Sequence, residues 1–141
     1  GMGYTDYLET FQAQVAEISV SKRGKIKVHK VTCVVDCGQI FNSKIAKQQL
    51  EGGILFGLTS TLKGEINVQN GQVVQSNFDD YRMLKLKDTP DINVHLIENN
   101  EAPGGLGEAG TPLIGPAVAN AVFAATGKRV RRLPIRLKDL V

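Results

Sequence analysis

Gly104-Gly105-Leu106-Gly107-Glu108-Ala109-Gly110 (GGLGEAG) contains a literal G-x-G-x-x-G, and its reading decides the fold class. A dinucleotide-binding fingerprint places its first glycine directly after a strand and opens a helix inside the motif. Here the alternating stretch Ile92 to Ile97 is followed by Asn99, Asn100, Glu101, Ala102 and Pro103 before the glycines begin, and Pro112 and Pro116 delay the next helix. No acid stands about 20 residues further on to take a ribose hydroxyl. The Arg cluster there is the remaining argument for a phosphorylated dinucleotide, and no second βαβ unit follows it. The other reading makes Glu108 the point of the loop. Glycines on both sides leave it sterically open and let backbone amides approach a ligand. A poorly hydrated site would raise its pKa toward that of a general base, whereas a nearby helix N-terminus favours the charged form. The residues alone leave Glu108 open between a general base and a loop acid satisfied by amides.

Outward from the loop, the periodicities predict an α+β fold, with antiparallel or mixed strands and two principal helices. Phe11 to Val20 and Lys25 to Asp36 are strand-like, joined by Ser21-Lys22-Arg23-Gly24. Asn42 is placed to cap a helix over 43–62, whose apolar Ala46, Leu50, Ile54, Leu58 and Leu62 draw one buried stripe. Gly52, Gly53 and Gly57 inside it imply either close packing on a sheet or approach by a bulky ligand. Ile66 to Gln69, Asn70-Gly71 and Gln72 to Gln75 spell a type I′ hairpin. A second helix is expected from Pro116 to a C-terminal stop at Gly127. Beyond it Val130, Leu133, Ile135 and Leu137 suggest a closing strand with its charges outward.

The 141 residues suit one domain, 2–141, and Gly1 before Met2 resembles the remnant of a cleaved tag. No apolar run approaches the roughly 20 residues that span a bilayer. The net charge of +3 owes much to Lys128, Arg129, Arg131, Arg132, Arg136 and Lys138, a run without interleaved aromatics. That favours a solvated face or protein contact over nucleic acid. Cys33 and Cys37, four apart on a strand, lie about 13 Å from each other, beyond disulfide reach, and are expected as small buried hydrophobes. His29 and His95 fall on wet faces, and no protein metal ligand set is expected.

Four blocks in order carry a family resemblance: VVDCGQIFN, QQLEGGILFGL, NGQVVQSNFDDYRML and PGGLGEAGTPLIGPAVANAVFAATGKRVRRLPI. Together they resemble the C-terminal part of the molybdopterin-binding large subunit of the xanthine oxidase and aldehyde oxidase family. The wording is closest to its isoquinoline oxidoreductase and bacterial aldehyde dehydrogenase branch. The resemblance implies a molybdenum ion held by the dithiolene of a pterin, with water as the oxygen source and electrons leaving through iron–sulfur clusters on a partner chain or domain. It places the catalytic carboxylate at Glu108 and a pterin contact at Gln49, with Gly52 and Gly53 flanking that contact. The implied partners are the remainder of the large subunit, an iron–sulfur small subunit, and an aldehyde or N-heterocyclic substrate.

The sequence departs from the family wording in three places. Gly104-Gly105 stands where many relatives have a basic residue, Ala109 where proline is frequent, and Asn42-Ser43 where Asn-Pro is usual. These weaken any transfer of purine specificity. The chain alone is expected to be inactive. A dinucleotide-binding module and a non-catalytic interaction remnant are the rival expectations. The compartment stays open between bacterial cytoplasm and periplasm.

Overall fold

The computed structural model describes residues 1–136 and 140. Its centre is a pair of long antiparallel strands, β2 (Thr10–Val20) and β3 (Ile26–Asp36), with Gly24 at φ 75° in the turn between them. Their β-branched residues suit a pleated, half-buried surface. An additional strand, β1 (Met2–Tyr7), pairs antiparallel with β2 along its whole length. Gly1 extends that ladder, exchanging hydrogen bonds with Ala16 in both directions (2.8 and 2.9 Å).

After β3 the chain enters α1 (Ser43–Leu62), where the Asn42 side chain accepts a hydrogen bond from the Ile45 amide at 3.0 Å. A small hairpin follows, β4 (Val68–Gln69) and β5 (Gln72–Val73), with Asn70 and Gly71 both at positive φ as a type I′ turn requires. It is shorter at both ends than the predicted hairpin. A single 3-10 turn at Leu86–Asp88 then leads to β6 (Asp91–Ile97), which pairs parallel with β3. Parallel neighbours need a crossover connection, and α1 lies within it. The resulting sheet is mixed, in the order β1-β2-β3-β6. α2 (Ile114–Thr126) ends on Gly127 in the left-handed conformation, as the sequence requires. It begins two residues before Pro116. The proline sits at the third helical position, where its missing N–H costs nothing because that amide lacks an intrahelical partner in any helix.

Both helices cover one face of the sheet. Leu50, Ile54 and Leu58 of the predicted stripe are wholly buried against Val31, Cys33 and Val35 of β3 and Ile114, Val118 and Val122 of α2. Each large aliphatic side chain so buried contributes about 2 kcal/mol. Ala46 is also buried, and Leu62 is partly so. Cys33 and Cys37 are buried free thiols, and His29 and His95 are exposed, all as expected. The opposite sheet face is uncovered: Met2 beside Val15, Tyr4 beside Ala13 and Phe11 beside Asp36 stand outward in register.

The expected closing strand does not form within the described residues. Residues 130–136 are irregular, and Leu137, the end of the predicted alternation, lies outside the described residues with Lys138. Pro134 removes an amide donor in mid-segment, which a paired strand does not tolerate. Ile135 still reaches the core, and its amide bonds to the Thr61 carbonyl at 2.8 Å. Of the basic run, Arg129 lies over the Phe123 ring (3.4 Å) and Arg136 pairs with Glu65.

Candidate active site

The site is assembled by the turn between β1 and β2, the N-terminal half of β2, one face of α1 and the GGLGEAG loop. The turn is unusual: its two residues, Leu8 and Glu9, have φ of 51° and 59°. A bulky side chain in that region costs on the order of 1–3 kcal/mol and persists only where its surroundings enforce it. Here the Leu8 carbonyl accepts from the Gly105 amide at 2.8 Å, and the Thr10 hydroxyl donates to the Gly105 carbonyl at 2.7 Å. Gly104 fits against this turn because it lacks a side chain; a Cβ would come 2.4 Å from the Glu9 carbonyl oxygen.

Further along, successive inward positions of β2 hold the rest of the loop. The Gln12 side-chain amide donates to the Ala109 carbonyl, and that of Gln14 to the Gly110 carbonyl at 3.0 Å. Both glutamines are buried, and their Oε1 atoms have no hydrogen-bond partner among the described residues. From the other side, the Gln49 amide donates to the Gly107 carbonyl. The Thr111 amide closes a turn onto the Glu108 carbonyl at 2.9 Å. The loop is therefore clamped through its backbone on both sides of Glu108, and the acid's side chain is left exposed.

The same clamping sets this glycine pattern apart from a dinucleotide loop at three of its amides. The amides of Gly104, Gly105 and Thr111 are already spent on backbone carbonyls, and α2 starts only at Ile114. A dinucleotide loop needs free amides at a helix N-terminus. Gly53 and Gly57 belong to the same packing. They lie against Gly110, Thr111 and Ile114 at the entry to α2 rather than on the sheet, while Gly52 faces open space.

Glu108 lines a hollow of about 270 Å³ with Tyr7, Leu8, Gly105, Gly107 and Ala109. The Glu108 carboxylate raises the pKa of the Tyr7 phenol, first by a hydrogen bond and then by its charge. A larger hollow of about 450 Å³, near Asp6, Glu9, Asp36 and Glu101, contains neither Glu108 nor Gln49. Of these two hollows the smaller is the one lined by Glu108, and Gln49 lines neither. Burial pushes the Cys33 thiol up to about 11, partly offset by a hydrogen bond from Gln14, so the thiol behind the loop is inert.

Gln49 and Glu108, 59 positions apart in sequence, thus meet at Gly107. Next to them α1 presents an uncharged exposed face of Ile45, Gln49, Gly52 and Phe56, at helical spacing. With no atom within 4 Å of a Cβ at Gly52 or Gly107, this face has room for a bulky organic group, and Gln49 is its polar handle. No three metal-ligating side chains converge among the described residues. Tyr7, Thr10, Gln12 and Gln14 are the site residues that the sequence did not announce. The signal for Thr10, Gln12 and Gln14 is the spacing T-x-Q-x-Q, polar residues at the inward positions of a strand; Tyr7 has none.

Three comparisons bear on this geometry. The family described as molybdopterin cofactor-binding domain matches residues 2–90. The chain is 39% identical over 137 residues to the isoquinoline 1-oxidoreductase subunit beta of Brevundimonas diminuta, covering 96% of this chain and 18% of that protein. It is 36% identical over 135 residues to a membrane-bound aldehyde dehydrogenase (pyrroloquinoline-quinone) of Gluconacetobacter polyoxogenes, covering 95% and 18%. The crystal structure of quinoline 2-oxidoreductase from Pseudomonas putida 86 superposes with a TM-score of 0.83 at 25% identity, over 92% of this chain and 18% of that one. The chain therefore spans about 18% of the length of these relatives.

Proposed function

Since the chain belongs to the molybdopterin cofactor-binding domain family, we propose that it is the C-terminal segment of a molybdenum hydroxylase large subunit, with Glu108 as general base and Gln49 as a contact to the pterin. The observation that carries this reading is the meeting of Gln49 and Glu108 at one clamped loop, beside an open, uncharged helix face. When bound, a molybdenum–pterin group would supply the oxygen-transfer and redox chemistry. The chain's own residues supply orientation and a proton acceptor. Glu108 takes the proton at a carboxylate oxygen, and the clamps from Thr10, Gln12, Gln14 and Gln49 hold in place the backbone that carries it. Gln49 holds Gly107 with its amide and keeps its own carbonyl oxygen for the pterin.

The substrate is an aldehyde or an N-heterocycle, in keeping with the names of the relatives. Iron–sulfur clusters on a partner carry the electrons away, and the remainder of the large subunit covers the bare outer face with Met2, Tyr4, Phe11 and Val15. On this reading the 141 residues alone do not turn over substrate.

The test is cofactor retention in the full-length subunit purified with its iron–sulfur partner. Gln49→Ala is expected to lower molybdenum and pterin content about tenfold, and Glu108→Gln to leave both unchanged. Purification of the active protein with a bound quinone and no molybdenum would contradict the proposal.

A further inference from the structure

We propose that Tyr7 is the positioning residue of Glu108, its phenol holding the carboxylate over the cavity that the two side chains share. This rests on the base role proposed above and extends it to a residue at the other end of the chain. The strand register supports it first. Tyr7 is paired with Thr10, and Thr5 with Gln12, so Tyr7 stands on the inward face of the sheet with the residues that clamp the loop. The neighbours of Tyr7 tie its end of the strand to the loop. Leu8 accepts from the Gly105 amide and Thr10 donates to the Gly105 carbonyl, so the turn carrying Tyr7 and the loop carrying Glu108 share a hydrogen-bonded residue.

The environment of the pair is equally specific. Among the described residues the ion pairs are Lys63–Asp88 and Arg136–Glu65, neither of which involves Glu108. The phenol and the carboxylate line one hollow, where the carboxylate raises the phenol's pKa. A neutral O–H donor suits a base better than a lysine or arginine would, because it fixes the carboxylate without a full charge that would suppress its proton affinity. The strained φ values at Leu8 and Glu9 also gain a purpose, since that tight turn delivers Tyr7 to the loop.

The chain has three tyrosines, Tyr4, Tyr7 and Tyr81, so ring-labelled tyrosine can be titrated by NMR with Tyr7 assigned from Tyr7→Phe. Tyr7 is expected to titrate above the ordinary range of a phenol, and in Glu108→Gln to fall back toward that range. A Tyr7 titration unmoved by Glu108→Gln would overturn the pairing and leave the base reading of Glu108 standing. In the full-length, cofactor-loaded enzyme, Tyr7→Phe is expected to lower kcat about tenfold with molybdenum content and KM nearly unchanged. Wild-type kcat in Tyr7→Phe would overturn the positioning role. Normal turnover by Glu108→Gln would instead sink the base reading, and with it any catalytic meaning of the pair.

Discussion

Replacing Gly110 by alanine should damage the fold far more than the same change at Gly107, three residues away in the same glycine-rich loop. A Cβ on Gly110 would lie 2.5 Å from the Leu50 carbonyl oxygen and 3.1 Å from the Ile54 amide, both backbone atoms of α1. Backbone in mid-helix cannot step aside, so the loop must withdraw by about 1 Å, an overpacking that costs about 1–3 kcal/mol. Withdrawal also strains the 3.0 Å bond from Gln14 to the Gly110 carbonyl, and a buried amide left without its acceptor costs about 1–3 kcal/mol. Against this, alanine narrows the unfolded ensemble, which returns about 0.4–1 kcal/mol. The net loss is therefore about 3 kcal/mol, or roughly 10 °C in Tm for a chain of this size. Gly107→Ala meets nothing within 4 Å and should stay within about 0.5 kcal/mol of wild type. Urea unfolding followed by circular dichroism compares the two directly. Equal midpoints for Gly110→Ala and Gly107→Ala would refute the close contact between loop and α1.

Two further outcomes follow from single groups. Asn42→Ala removes the acceptor for the Ile45 amide and should cost about 1 kcal/mol in the same unfolding assay, with Asn42→Ser nearly neutral. Burial raises the Cys33 thiol from 9.0 to about 11, so the folded state holds that proton more tightly than the unfolded one. The stability this contributes is complete below pH 9 and is lost as the pH climbs toward 11. Denaturation midpoints measured between pH 8 and 11 should fall for wild type and fall less for Cys33→Ala; identical pH profiles would contradict it.

The parts of the fold that the sequence announced are those with strong local chemistry. The Asn42 cap, the stripe from Ala46 to Leu58, the Asn70-Gly71 turn and the Gly127 stop each follow from local residue preferences or spacing. β1 stayed hidden because its connection to β2 is Leu8-Glu9, residues that the hairpin rules do not associate with positive φ; tertiary bonds to Gly105 override the local preference. The parallel pairing of β3 with β6 has no local signature either, since it depends on where α1 deposits the chain. At the tail, alternation in Val130 to Ile135 misled because Pro134 forbids the ladder that the apolar spacing suggested. For the site, Glu108 and Gln49 came from the wording of motifs, and their proximity came only from the fold. The glutamines at 12 and 14 were legible in principle. Buried polar side chains on a core strand must be bonded to something, and here that is the loop.

The most direct test of the central claim is the rate of aldehyde-dependent dye reduction by the full-length enzyme with its redox partner, for wild type and Glu108→Gln, with molybdenum quantified in both. The account predicts equal molybdenum and a loss of about 10²–10⁴ in kcat, the range for removal of a positioned general base. A variant that retains its metal and turns over at the wild-type rate would contradict it.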